Sequence, residues 1–425
     1  MTHKLFPNQL TNIISLGLVC NIMAGLAQAA DQTWPQFRGP TGLGSAVQPD
    51  SNPPHRWSEQ QNIAWKTTIP GSGWSSPVIW NDQVWLTTSQ NGGQQVYAIC
   101  IGTDGKIKHQ VKLFTVATPE TKNALNSYAS PSPTIEAGRV YVHFGTYGTA
   151  CLDTGSGKIL WKRTNLTLDH QEGPGSSIIL HQDLLLFHCD GRDVQYVIAL
   201  DKKTGKTAWK TKRSVDLSKV NDFQRKAFST PLVVTFQGRT QMISPAAQGC
   251  YSYDPKSGKE LWKVRYPGFS AVPRPIIQQG TTYVVTDFGK PELWAVQLDG
   301  RGDVTNSHVR WKYKTSVSST PSPVLINGLI YFVSDKTGIV SCVDANTGTL
   351  VWKQRIGGKF SASPVATAQT IYFFDRDGKT TVIAKGRQFK KIAVNQLDSG
   401  CMASPAIIGD TLYLRTDTAL YRIQR

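Results

Sequence analysis

One ten-residue pattern recurs along this chain in register and limits what it can fold into. Leu152-Asp153-Thr154-Gly155-Ser156-Gly157-Lys158-Ile159-Leu160-Trp161 is echoed by Leu200-Asp201-Lys202-Lys203-Thr204-Gly205-Lys206-Thr207-Ala208-Trp209. Tyr253-Asp254-Pro255-Lys256-Ser257-Gly258-Lys259-Glu260-Leu261-Trp262 and Val343-Asp344-Ala345-Asn346-Thr347-Gly348-Thr349-Leu350-Val351-Trp352 repeat it again. Each copy reads as a strand ending, an Asp-led turn whose Gly takes positive φ, and an outer strand carrying the Trp. Such copies close units of about 40–55 residues, the spacing of a repeat architecture.

A second landmark opens each unit: a small-x-Pro step leading into an apolar strand. It stands at Ser76-Pro77, Ser132-Pro133, Thr230-Pro231, Arg274-Pro275, Ser322-Pro323, Ser363-Pro364 and Ser404-Pro405, and Gly175-Ser176-Ser177 takes the same place without the proline. That makes eight starts, and Pro suits the first residue of a strand, which need not donate to the ladder. Between the landmarks the pattern has period two and is rich in β-branched and aromatic residues, as in Arg139-Val140-Tyr141-Val142-His143-Phe144. Each unit is therefore four short antiparallel strands. One such sheet cannot cover its own faces, but a ring of them can.

The predicted fold is all-β: an eight-bladed β-propeller of four-stranded antiparallel blades over 62–425, with seven blades as the alternative. The last unit lacks an outer strand, and Asn62-Ile63-Ala64-Trp65-Lys66 supplies one at the other end of the chain. Pairing of N- and C-terminal strands would close the ring. Trp311 holds the Trp position in another unit, with His109 and Phe389 as substitutes.

Residues 1–29 read as a signal peptide. Lys4 gives a positive start, an apolar stretch covers 13–26, and Ala27-Gln28-Ala29 is a small-x-small cleavage site. Val19 before Cys20 argues against a lipid anchor. A periplasmic or secreted monomer with no transmembrane segment is expected, which disfavours nucleic acid as partner. Residues 30–61 form an N-terminal extension holding Trp34-Pro35-Gln36-Phe37-Arg38-Gly39-Pro40, expected to pack along the propeller. Six cysteines follow the leader, with no Cys-x-x-Cys. They are expected as buried free thiols, because equivalent sites on neighbouring blades lie too far apart to bridge.

The Asp-x-x-Thr-Gly-x-x-x-Trp unit resembles the pyrroloquinoline-quinone (PQQ)-type propeller repeat across 62–425, and the length and export signal resemble BamB-like secreted propellers. The quinoprotein side of that resemblance implies a quinone in the central funnel, calcium beside it and an Asp as base. No vicinal Cys pair and no Cys-x-x-Cys-His supports that apparatus here, so no cofactor is firmly expected; PQQ and calcium remain the alternative. Gly205-Lys206-Thr207 and Gly378-Lys379-Thr380 lack the first Gly of a phosphate loop, and Asp375-Arg376-Asp377-Gly378 lacks the later ligands of a calcium loop. No catalytic residue is identified.

What remains is geometry. Loops before each inner strand and between the second and third strands open on one face of a propeller. The first set brings Trp74, Tyr128, Phe228, Arg274, Phe360 and Met402. The second brings Tyr147, Arg192, Asp193, Asp287, Lys290, Lys336, Asp375 and Arg376. The long connections 115–127 and 212–226 enter the same face. Aromatics and cations around a funnel suit a sugar or an acidic chain. The net charge of +17 points the same way, towards an acidic glycan or protein partner in the envelope. Basic runs at 202–226 and 385–391 offer a competing outer surface. The expected function is binding or scaffolding of a macromolecule or glycan; a PQQ-dependent dehydrogenase and a polysaccharide hydrolase or lyase are the alternatives.

Overall fold

A computed structural model describes residues 1–2 and 33–425; the signal peptide expected over 1–29 lies, but for its first two residues, outside them. The propeller has eight antiparallel blades, spanning residues 78–115, 134–163, 179–212, 232–265, 276–313, 324–355, 365–396 and 406–423. We number them 1 to 8. Blade 8 is completed by Ile63–Thr68, which pairs antiparallel with Ala419–Ile423 from Thr68↔Ala419 to Ile63↔Ile423. The ring closes as the terminal patterns predict. No helix among the described residues is long and apolar enough to cross a membrane.

The repeat motif explains how blades stay together. The outer-strand Trp of one blade donates its indole N–H to a turn carbonyl of the next. Trp65 reaches Thr103 O at 2.8 Å, Trp161 reaches Lys202 O at 3.1 Å, Trp209 reaches Pro255 O at 3.0 Å and Trp311 reaches Ala345 O at 3.0 Å. The turn Gly is the other half of the joint. At Gly205 φ is +70° and an added Cβ would meet the Trp161 ring at 2.6 Å. Positive φ and close approach together demand glycine there. Blade 4 departs from the pattern: Gly302–Asp303 runs parallel to its outer strand. Trp262, fully buried, turns back to Gln241 Oε1 at 2.8 Å.

All six cysteines among the described residues are buried and unpaired, and burial pushes the thiols of Cys100, Cys151 and Cys342 up to about 12. They are small core side chains at the usual pH.

The N-terminal extension does more than pack along the outside. Thr33–Trp34 pairs with the innermost strand of blade 1, and Pro35 O accepts from Ile135 N of blade 2 at 2.9 Å. Arg38 then donates to Pro323 O of blade 6 at 2.6 Å and Pro364 O of blade 7 at 3.3 Å. Ser45 bridges to Ala366 of blade 7. Residues 33–46 thus cross the channel, and 47–61 leave over blades 7 and 8, where Tyr372 donates to Pro53 O at 3.1 Å and Trp57 N to Asn395 Oδ1 at 3.0 Å.

Candidate functional site

The site is built by the small-residue step that starts each blade. The residue before Pro is held extended, and here its hydroxyl faces the axis. Ser76 N donates to Ser132 Oγ, Ser132 N to Ser177 Oγ and Ser177 N to Thr230 Oγ1, at 2.9, 2.9 and 3.0 Å. On the other side Arg274 N donates to Ser322 Oγ, Ser322 N to Ser363 Oγ and Ser363 N to Ser404 Oγ, each at 2.9 Å. At six of the eight junctions one blade's backbone is stitched to the next blade's side chain around the channel, and seven hydroxyls form a horseshoe lining one cavity.

That cavity holds about 350 Å³. Phe37, from the crossing segment, sits on its floor. The residues two positions before each ring member make the next tier: Trp74, Ser130, Gly175, Phe228, Val272, Thr320, Ser361 and Met402. Above them Phe269 and Phe288 thicken one wall, and Leu125 and Phe223 stand on the rim, 45% and 43% exposed. Glu172 is the one ionisable residue in the lining. It is already answered by Lys226 Nζ at 3.2 Å and Asn123 Nδ2 at 2.9 Å.

Of the residues expected on this face, Trp74, Phe228 and Met402 line the cavity. Others steer its wall. Asp287 accepts from Phe269 N at 3.3 Å, and Arg376 donates to Ser361 Oγ at 2.8 Å. Lys336 Nζ lies 5.8 Å from the Phe288 ring, and Lys290 is exposed nearby. Tyr128 and Tyr147 stack at 6.0 Å and clamp Glu120, the Tyr128 hydroxyl donating to its carbonyl and the Tyr147 oxygen accepting from its N–H. Asp375 is buried in its own turn, accepting from Asp377 N and Lys379 N.

Phe360 and Arg274, like Asp375, do not line the cavity. Phe360 is 1% exposed in the core of blades 6 and 7, because a ring there fills the gap between sheets. Arg274 is also 1% exposed, and it donates to Pro231 O, Phe37 O and Gln36 Oε1 beneath the cavity. It holds the crossing segment. Arg192 pairs with Asp169 and, at 3.7 Å, with Asp222, while Asp193 accepts from Asp169 N. The three arginines expected to grip an acidic chain are thus already engaged.

Sequence reading missed the hydroxyl horseshoe, Phe37, Phe223, Phe269 and Phe288. The signal existed for the first: the small residue before Pro was legible as a strand start, and its repetition placed equivalent side chains around one axis.

Behind Phe228 and Gly175 lies a buried polar cluster of His143, His170, His188 and Asp190. Arg213 donates to Asp190 at 2.6 Å and to His188 Nδ1 at 3.0 Å. A guanidinium has no lone pair to accept with, so His188 Nδ1 must accept and the ring stays neutral. Burial pushes His143 down to about 3, and His170 and His188 down to about 4, from 6.5. Below pH 6.5 the unfolded chain takes up protons that the folded chain refuses, so stability should fall as pH drops from about 6.5 to about 4. Thermal midpoints across that window check this; a flat profile contradicts it.

Fold and site together define a quinoprotein-type β-propeller with an axial cavity floored by its own N-terminal segment. A family model described as outer membrane protein assembly factor BamB matches residues 55–178, 103–211 and 193–425. The chain belongs to that family. Among solved structures it is similar to BamB from Moraxella catarrhalis, with 13% identity, 85% of this chain and 99% of that chain covered, and TM-score 0.61. It is also similar to a europium-containing methanol dehydrogenase, with 12% identity, 91% and 90% covered, and TM-score 0.65. A quinohemoprotein alcohol dehydrogenase from Comamonas testosteroni follows, with 11% identity, 93% and 81% covered, and TM-score 0.64. These likenesses establish the fold. A comparison with curated proteins finds no match.

PQQ and calcium, the alternative that the repeat resemblance raises, would have to be held by this lining. PQQ is a tricarboxylate and needs cations or a bridging metal. The wall offers hydroxyls, amides and rings, with no Lys or Arg and a single carboxylate already paired. Among the described residues no group of three His, Cys, Asp or Glu could hold a metal. The residues present do not fit the group.

Proposed function

We propose that the protein is a non-catalytic binding module of the cell envelope, docking a partner macromolecule on the face that carries the axial cavity. The observation that carries this reading is the pair Leu125 and Phe223, large apolar side chains left exposed on two long connections at the cavity rim. Exposed apolar groups beside a concavity are what a docking site presents. Lys290 and Lys336 on the same face suit acidic groups of the partner. The family's description as an outer membrane assembly factor, together with the export signal read at 1–29, supports a polypeptide of the envelope as that partner.

Leu125→Asp combined with Phe223→Asp should keep the parent melting temperature and lose crosslinking to the envelope partner. Lys210→Ala with Lys212→Ala, on the outer strand of blade 3, should keep it. Loss from the flank variant and retention by the rim variant would overturn the assignment. After incubation with PQQ and calcium, no substrate-dependent dye reduction with alcohols or sugars is expected. Such activity would point to the dehydrogenase alternative.

A further inference from the structure

The floor of the cavity has a chemistry of its own. A hydroxyl carries one O–H donor and two acceptor lone pairs. In Ser132, Ser177, Thr230, Ser322, Ser363 and Ser404 one lone pair takes the neighbouring blade's N–H. Among the described residues no acceptor receives any of their O–H groups, and Ser76 Oγ has no partner. All seven residues are at most 5% exposed, and all line the cavity. The horseshoe therefore offers seven donors and spare acceptors to whatever enters.

We propose that this crown binds a neutral pyranose, as a single sugar or the end of a short oligosaccharide. An apolar occupant would leave the hydroxyls dry and unpaired, the costly outcome for buried polar groups. An anion would find no cation in the wall, and a cation would find Glu172, the one carboxylate there, already held by Lys226 and Asn123. A neutral ring with many hydroxyls satisfies the floor, while its C–H faces pack against Trp74, Phe228, Phe269 and Phe288. The volume of about 350 Å³ is at the small end of ligand sites, roughly 300–1,000 Å³, and holds one or two sugar rings. This inference rests on the cavity being a ligand site, and does not depend on which macromolecule docks at the rim.

The test is calorimetry and ligand-observed NMR on the full chain with glucose, galactose, mannose, N-acetylglucosamine, cellobiose and chitobiose, and with glucuronate and glucosamine as charged counterparts. One or more neutral sugars should bind, one molecule per chain, with the charged counterpart weaker by about tenfold or more. Ser76→Ala removes a crown hydroxyl without touching any of the six inter-blade bonds. It should weaken binding about fivefold at unchanged melting temperature. Val272→Trp fills the cavity from the tier above and should abolish binding. Absence of binding by every neutral sugar, or binding that survives Val272→Trp, overturns the proposal. If partner crosslinking at the rim persists in that case, the docking role stands and the crown alone is refuted. If both fail, this face is not the working surface.

Discussion

Deletion of residues 62–68 should lower the melting temperature of the whole propeller by about 10 °C or more, and not merely trim an end. Ile63–Thr68 is the outer strand of blade 8, paired with Ala419–Ile423. It also carries the joint to blade 1, because Trp65 donates to Thr103 O at 2.8 Å and a Cβ on Gly105 would meet its ring at 2.9 Å. Trp65 is half-buried against the core of the closing blade, so its truncation alone costs less than the about 3–5 kcal/mol of a fully buried Trp, but the deletion removes the ladder as well. It also opens an edge in a fold stabilised by having its blades closed into a ring. Scanning calorimetry reads the effect, and a synthetic 62–68 peptide should restore part of the lost stability. Parent-like melting of the deletion variant would show that the ring does not depend on this strand.

The closure was legible because its two halves are each half of a known unit: a Trp-bearing strand with no blade, and a blade with no Trp-bearing strand. Repetition made the fold readable, since every blade states the same rule in slightly different residues. The site was less legible for the same reason. Function in a propeller comes from side chains that meet around an axis, and a linear pattern does not say which member of a repeat faces inward. Trp74, Phe228 and Met402, chosen by loop position, line the cavity. Loop position failed for Arg274, where one unit replaces the ring hydroxyl by a long side chain that turns away from the cavity to hold Phe37 and Gln36. Nothing local in Arg274-Pro275 distinguishes that direction. The partner of Arg274 lies more than two hundred residues away in a segment with no repeat to align it.

That segment is where the second large effect is expected. Arg38 is 1% exposed and has φ +66°. Its guanidinium donates to Leu43 O at 2.7 Å, Pro323 O at 2.6 Å and Pro364 O at 3.3 Å. Burial, and the Arg274 charge beside it, push its pKa down to about 9. The charge is therefore held at a cost, which the three carbonyl dipoles offset. Gly44, at φ +79°, packs against this guanidinium, and an added Cβ on Gly42 would meet that of Arg274 at 2.6 Å. Arg38→Met keeps most of the bulk but takes the donor from the buried carbonyls of Pro323 and Pro364, at about 1–3 kcal/mol each, and from the part-buried one of Leu43. Arg38→Lys can satisfy some of them. The expected order of stability is parent, then Lys, then Met, with Met lower by about 5 °C or more. Hydrogen exchange should show why: amides of 33–46 should lose protection in Arg38→Met while the blade strands keep theirs. With the segment loosened, Phe37 would no longer floor the cavity, so ligand binding should weaken together with that protection. If Arg38→Met matches the parent in both melting and exchange, the arginine merely fills space, and the segment is held by Trp34 and its pairing with blade 1.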